Sequence, residues 1–202
     1  MPDGGRVITG SAGGLRLEAP GARTRPLSGK VKQALFSMME AEREDIWDGA
    51  MLDLFAGSGA AGIEALSRGA PAAVLVERDG RTISVIRRNL ERTGLEAGAR
   101  VERREVATFL ARPSGDVPEA PFCSVVIDPP YEQVADLVAS LESLAAPASG
   151  WLDDAAVVVA KHFWRDGPQE RIARLVRVRE RRFGETALSV YRRSADHTSG
   201  GN

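Results

Sequence analysis

Apolar and polar positions change period several times along the 202-residue chain, and each change marks an element. Residues 1–27 hold no sustained period. Two β-like pieces, Arg6–Thr9 and Leu15–Glu18, lie among Gly, Pro and Arg, which predicts a small hairpin or arm. Ser28 is placed to cap a helix running to about Glu44, where Val31, Ala34, Leu35, Met38 and Met39 recur at three- and four-residue spacing in one stripe. Lys30 and Lys32 fall off that stripe, toward a polyanion or water. From Met51 short apolar runs alternate with helical stretches. Strands are predicted at Met51–Phe55, Ala72–Glu77, Arg100–Arg104, Cys123–Asp128 and Ala155–Ala160, with helices at Ile63–Arg68, Arg81–Arg92, Thr108–Arg112 and after Tyr131. Ile172–Glu180 and Thr186–Arg193 read as two strands around Arg181–Glu185. The polar, Gly-rich stretch 194–202 reads as a disordered tail.

This alternation predicts an α/β fold: a mostly parallel, seven-stranded sheet with a C-terminal antiparallel hairpin, preceded by the small N-terminal β-hairpin arm. Ligands are then expected at the C-terminal ends of the parallel strands.

Composition narrows the class only slightly. With 43% apolar and 27% charged residues the chain is ordinary globular protein. Neither a signal peptide nor a membrane helix is visible, and a cytoplasmic monomer is expected. Cys123 is the single cysteine and reads as a buried core thiol; His162 and His197 are too few and too scattered for a metal site. The net charge of −1 hides a segregation: residues 1–40 carry six Arg/Lys against three Asp/Glu, residues 41–160 carry 11 against 20, and residues 161–202 carry 10 against five. Basic ends around an acidic middle fit a cofactor-binding core flanked by surfaces that can meet phosphates.

Three motifs carry chemistry. Gly57, Gly59 and Gly62 follow the first parallel strand at GxGxxG spacing, a turn that lets backbone N–H groups approach a ligand. Glu77 ends the next strand, 20 positions after Gly57, where a carboxylate can accept from both ribose hydroxyls of an adenosine. Glu105, past the third strand, is placed to reach an adenine edge. Dehydrogenases and S-adenosylmethionine enzymes share this half-fold, but Asp53 lies inside the first strand, where a methyltransferase keeps an acid near the methionine end of its cofactor. The third motif is Asp128-Pro129-Pro130-Tyr131. Its prolines stiffen the loop. An exocyclic amine has its lone pair delocalised into the base; Asp128 and the Pro129 carbonyl would accept its two N–H bonds and aim the nitrogen at a sulfonium methyl, with Tyr131 as a stacking platform.

DLFAGSGAAGIEALSRGA at Asp53–Ala70, the Glu77 strand end, VVIDPPY at Val125–Tyr131 and the basic stretch Arg6–Met39 together resemble the bacterial 16S ribosomal RNA guanine-N2 methyltransferases of the class I Rossmann-like fold. The likeness runs nearly to Arg193. It implies a methyltransferase domain over 28–193, the cofactor S-adenosyl-L-methionine, and 16S rRNA or a small-subunit assembly intermediate as partner, with a guanine-966-type N2 as acceptor. It also implies cofactor contacts at Asp53, Phe55, Ala56, Gly57, Ser58, Gly59, Glu77, Arg78, Glu105, Val106 and Asp128, a catalytic Asp128-Pro129-Pro130-Tyr131, and a phosphate grip by Arg6, Arg16, Arg23, Arg25, Lys30 and Lys32. Gly29 and Gln33 stand where that family usually has acids, and Lys161 where an acid is common.

Other readings stay open. An adenine-N6 methyltransferase would use the same tetrapeptide, but a sequence-specific DNA enzyme would be expected to carry a larger recognition domain. An NAD-linked oxidoreductase needs a hydride partner that neither histidine supplies. A catalytically silent RNA-binding or assembly protein would be told apart by failure to bind S-adenosylmethionine.

Overall fold

The computed structural model describes residues 3–21 and 28–194. Asp3–Arg6 (β1) and Arg16–Glu18 (β2) pair antiparallel as a separate hairpin. Ser28 then caps α1, Gly29–Glu42, its Oγ accepting from the Val31 amide at 3.3 Å. Next come β3 Met51–Leu54, α2 Ala60–Arg68, β4 Ala73–Glu77, α3 Gly80–Thr93, β5 Ala99–Arg103, α4 Val106–Leu110, β6 Phe122–Ile127, α5 Val134–Ala145, β7 Leu152–Phe163, β8 Arg171–Ile172, β9 Leu175–Phe183 and β10 Thr186–Arg193.

β3 to β10 make one sheet in the order β5-β4-β3-β6-β7-β10-β9-β8, parallel from β5 to β7 and antiparallel beyond. The chain winds outward from β3 through β4 to β5, then returns to the other side of β3 as β6. That reversal opens a crevice at the C-terminal ends of β3 and β6, where ligands settle in open α/β sheets. β6 is buried at every position, as the continuous apolar run required. One face of the sheet, including Val126, Val159 and Leu188, packs on α1, α2 and α3; the other, with Val125, Val158 and Tyr191, packs on α4, α5 and Trp151.

The parallel layer follows the predicted elements with most ends moved by one to three residues. Three features differ. The sheet has eight strands, the addition being two-residue β8. β7 runs on to Phe163, because β10 pairs with it from Thr186↔Phe163 to Arg192↔Val157, and β9 likewise continues through Phe183. The first arm strand starts three residues earlier than predicted and the second one residue later. Ile8 and Thr9 do not pair as strand; their amides donate instead to the Glu64 carboxylate of α2 at 2.7 and 3.1 Å.

Glu64 corrects a second expectation. Lys32 does not face solvent or a phosphate: it is buried, with Nζ 3.0 Å from Glu64 and donating to the Arg6 carbonyl at 2.6 Å. Arg68 completes the cluster on Glu64 at 3.0 Å. A buried charge without partners would cost several kcal/mol, so the amides and cations around Glu64 are what permit it. Asn89 of α3, also buried, makes a second tie. Its side chain accepts from Glu18 N at 2.8 Å, donates to Glu18 O at 3.0 Å, and donates to Ser58 O at 2.9 Å.

Candidate active site

β3 delivers the chain into a tight turn. Phe55, at φ 63°, and Gly57 and Gly59, at φ 55° and 79°, all adopt the left-handed region. Glycine takes that conformation freely, whereas in a bulky residue such as Phe55 it is strain stored beside a site. A Cβ on Gly57 would meet nothing nearer than the Phe55 carbonyl at 3.9 Å, so the turn leaves open space above it. Gly62 serves packing: a Cβ there would lie 2.9 Å from Leu75.

Two carboxylates flank the turn. Asp53, buried within β3, accepts from Gly62 N at 2.9 Å. Burial pushes its carboxyl up to about 8, against the pull of the Gly62 amide and with help from the negative charges of Asp128 and Glu77. Glu77, ending β4, accepts from the amides of Gly57, Arg78 and Asp79 at 3.1, 2.8 and 2.9 Å. These amides fix its orientation across the turn.

The tetrapeptide follows β6. Asp128 Oδ1 is ion-paired with Lys161 Nζ from β7, and among the described residues no protein donor is assigned to Oδ2. Burial drives the Asp128 carboxyl upward while the Lys161 ammonium pulls it down. Lys161 also lies 4.9 Å from the Tyr131 ring centre. Tyr131 OH meets Thr186 Oγ1 at 2.5 Å, and its ring packs edge-on to Phe163 at 6.1 Å. The ring is thus held by β7 and β10.

Both corners open into one cavity of about 900 Å³. Asp53, Phe55, Ala56, Gly57, Ser58, Glu77, Arg78, Glu105, Val106 and Asp128 through Tyr131 all line it, joined by Lys161, Phe183 and Thr186. Ala19 and Pro20 of the arm, with Ser28 and Val31 of α1, form another wall.

Some predicted residues stand elsewhere. Gly59 does not line the cavity; it faces Leu75, Ile86 and Ile63 and shapes the turn from below. Glu105 does line the cavity, at its exposed rim, 3.4 Å from Arg78. Arg6, Arg16 and Lys30 are exposed outside the cavity, and Arg23 and Arg25 lie outside the described residues. Cys123 is buried with Sγ 2.9 Å from Asp153, its thiol pushed up to about 11. Sequence reasoning missed that Lys161 meets Asp128; its departure from the family pattern was the available signal. Thr186 and Phe183 carried none, because antiparallel pairing of distant strands brings them to the rim.

A family model described as Conserved hypothetical protein 95 matches residues 5–192. The chain is 33% identical over 198 residues to Ribosomal RNA small subunit methyltransferase D of Escherichia coli (strain K12), covering 96% of this chain and 92% of that protein. Among solved structures, one from Escherichia coli described as a candidate methyltransferase superposes with a TM-score of 0.78 at 32% identity, covering 94% of this chain and 98% of the other. A hypothetical protein from Thermus thermophilus gives 0.74 at 33% identity, with 92% and 98% covered. The cavity walls fall within the matched residues, and the chain belongs to the Conserved hypothetical protein 95 family, that of ribosomal RNA small subunit methyltransferase D.

Proposed function

We propose that this protein is an S-adenosyl-L-methionine-dependent methyltransferase acting on the exocyclic N2 of a guanine in 16S rRNA, of the guanine-966 type. The observation that carries the reading is that the glycine turn and the Asp128–Tyr131 corner share one cavity. A donor held by one corner can reach an acceptor held by the other. The residues present fit the cofactor chemically: the open space over Gly57 would take a nucleoside, the Glu77 carboxylate suits ribose hydroxyls, and Asp53 suits the cationic methionine end. When bound, the cofactor supplies an electrophilic methyl group.

The chain's own residues supply position and charge. Asp128 Oδ2 and the Pro129 carbonyl accept the two N–H bonds of the amine and draw its lone pair out of conjugation. Tyr131, fixed by Thr186, holds the base plane. The proton shed by the nitrogen as it gains the methyl leaves on Asp128 or to water. A duplexed base cannot enter such a cavity, so the target nucleotide must be unpaired or flipped. Arg6, Arg16 and Lys30, with Arg23 and Arg25, remain as candidates for gripping RNA phosphates, an assignment from which buried Lys32 is withdrawn.

Nucleoside mass spectrometry of 16S rRNA from a strain lacking the protein tests this directly. One N2-methylguanosine should disappear and return on complementation with the intact gene but not with Asp128→Ala. An unchanged N2-methylguanosine profile with loss of N6-methyladenosine would replace guanine by adenine.

A further inference from the structure

The C-terminal strands and their turns carry seven arginines from Arg165 to Arg182, and five of them fall into two groups. Lower on β9, Arg177 pairs with Glu170 and Glu180 at 3.0 and 2.8 Å, and Arg179 with Glu42 at 3.0 Å. Such pairs cap a sheet edge with mixed charge. At the cavity end the pattern changes. Arg182 lies 3.6 Å from the ring centre of Trp164, Arg165 4.7 Å from the same ring, and Arg181 5.1 Å from the ring of Phe183. All three arginines are exposed, and among the described residues none forms a carboxylate ion pair. Asp166 and Glu185 are the acids next to them in sequence.

Edge protection needs charge of either sign and no aromatic beneath it. Here three cations are laid on rings, which restrains each guanidinium while leaving N–H donors directed outward. The patch also adjoins the reacting corner: Phe183 and Thr186 line the cavity, and Thr186 holds Tyr131. Surfaces that take single-stranded nucleic acid combine cations along the backbone path with aromatic or guanidinium planes for bases.

We infer that the end of β9 is a second RNA-holding surface that grips the unpaired strand flanking the target nucleotide, with Arg165 and Arg182 seated on Trp164 on one face of the sheet edge and Arg181 seated on Phe183 on the other. This rests on the RNA-methyltransferase reading above. It extends the basic surface from one end of the chain to both, consistent with the excess of ten Arg/Lys over five Asp/Glu in residues 161–202.

The test measures binding of the full chain to a short single-stranded RNA of mixed sequence over a salt series. The triple variant R165Q/R181Q/R182Q should bind roughly tenfold or more weakly near physiological salt, and its slope of log K against log salt should fall by about 2, from about 0.7 per lost phosphate contact. Cofactor affinity and melting temperature should stay at the parent values. Trp164→Ala keeps every charge but removes the ring that orients two of the arginines, and should weaken RNA several-fold with the slope nearly unchanged. Unchanged affinity and slope in the triple variant, from a chain that does methylate 16S rRNA, would overturn the second surface alone. A parent chain that methylates no RNA would instead sink the reading beneath it.

Discussion

Replacing Lys161 with methionine removes the cation paired with Asp128 while keeping most of the side-chain volume. Both partners are largely covered, the side chains being 14% and 21% exposed. Stripping the partner from a fully buried ion pair costs about 3–5 kcal/mol. Water reaches about a fifth of Asp128, so roughly half of that is expected against its carboxylate, about 2 kcal/mol, or a loss of transfer that reaches ~30-fold on the acid side. The sign of the pH dependence follows from the charges facing Asp128: Lys161 from β7 favours its ionised form, while burial disfavours it, with Asp53 on β3 and Glu77 on β4 the neighbouring acids. On the proposed mechanism transfer requires the carboxylate, so activity should fall as pH drops through the carboxyl's titration. Without Lys161 that titration moves to higher pH. The deficit of Lys161→Met should therefore be largest on the acid side and shrink as pH rises, and Lys161→Arg should restore most of it. Methyl transfer to RNA under single-turnover conditions from mildly acidic to alkaline pH, with melting temperature as a folding check, reads this out. A uniform loss with an unmoved acid limb would refute the assignment.

Asp128→Ala should abolish transfer while leaving S-adenosylmethionine affinity, measured by calorimetry, within a few-fold of the parent. Asp53 should couple cofactor binding to pH: its carboxyl is pushed up to about 8, so affinity for a cationic ligand should rise as pH climbs through that value and lie flat in Asp53→Asn. The same raised value means that Asp53 disfavours the fold increasingly between its unfolded value near 3.9 and about 8; Asp53→Asn should melt higher than the parent at neutral pH even as it binds cofactor more weakly. Glu64→Gln leaves Lys32 buried without a counter-charge and weakens the hold on Ile8 and Thr9; a loss of about 3 kcal/mol in denaturant unfolding is expected, and an unmoved midpoint would contradict the clamp.

Most of the parallel layer was legible because its strands, edge strand β5 apart, are local and mostly apolar runs between helices of clear period, and Asp53, Glu77 and Asp128 sit at or near the strand ends that such a layer brings together. What escaped depended on distant pairing. Lys32 looked like a surface cation, since no local pattern reveals that Glu64, 32 residues on, waits beneath it. Ile8 and Thr9 have strand composition yet give their amides to that same side chain. Lys161 lay one position beyond the expected strand end, and its meeting with Asp128 follows from the parallel pairing of β6 with β7. Thr186 and Phe183 reach the cavity only because β10 pairs with β7, Thr186 opposite Phe163.

Asn89 divides one amide between the end of β2, in the arm proposed to grip RNA, and the glycine turn proposed to hold the donor. Whatever stiffens the Glu18 end stiffens the Ser58 end as well, so the two ligands should favour each other, each raising the other's affinity by the same factor. Shortening the amino terminus would then weaken the hold on the methyl donor too, and deletion could not cleanly part recognition from chemistry.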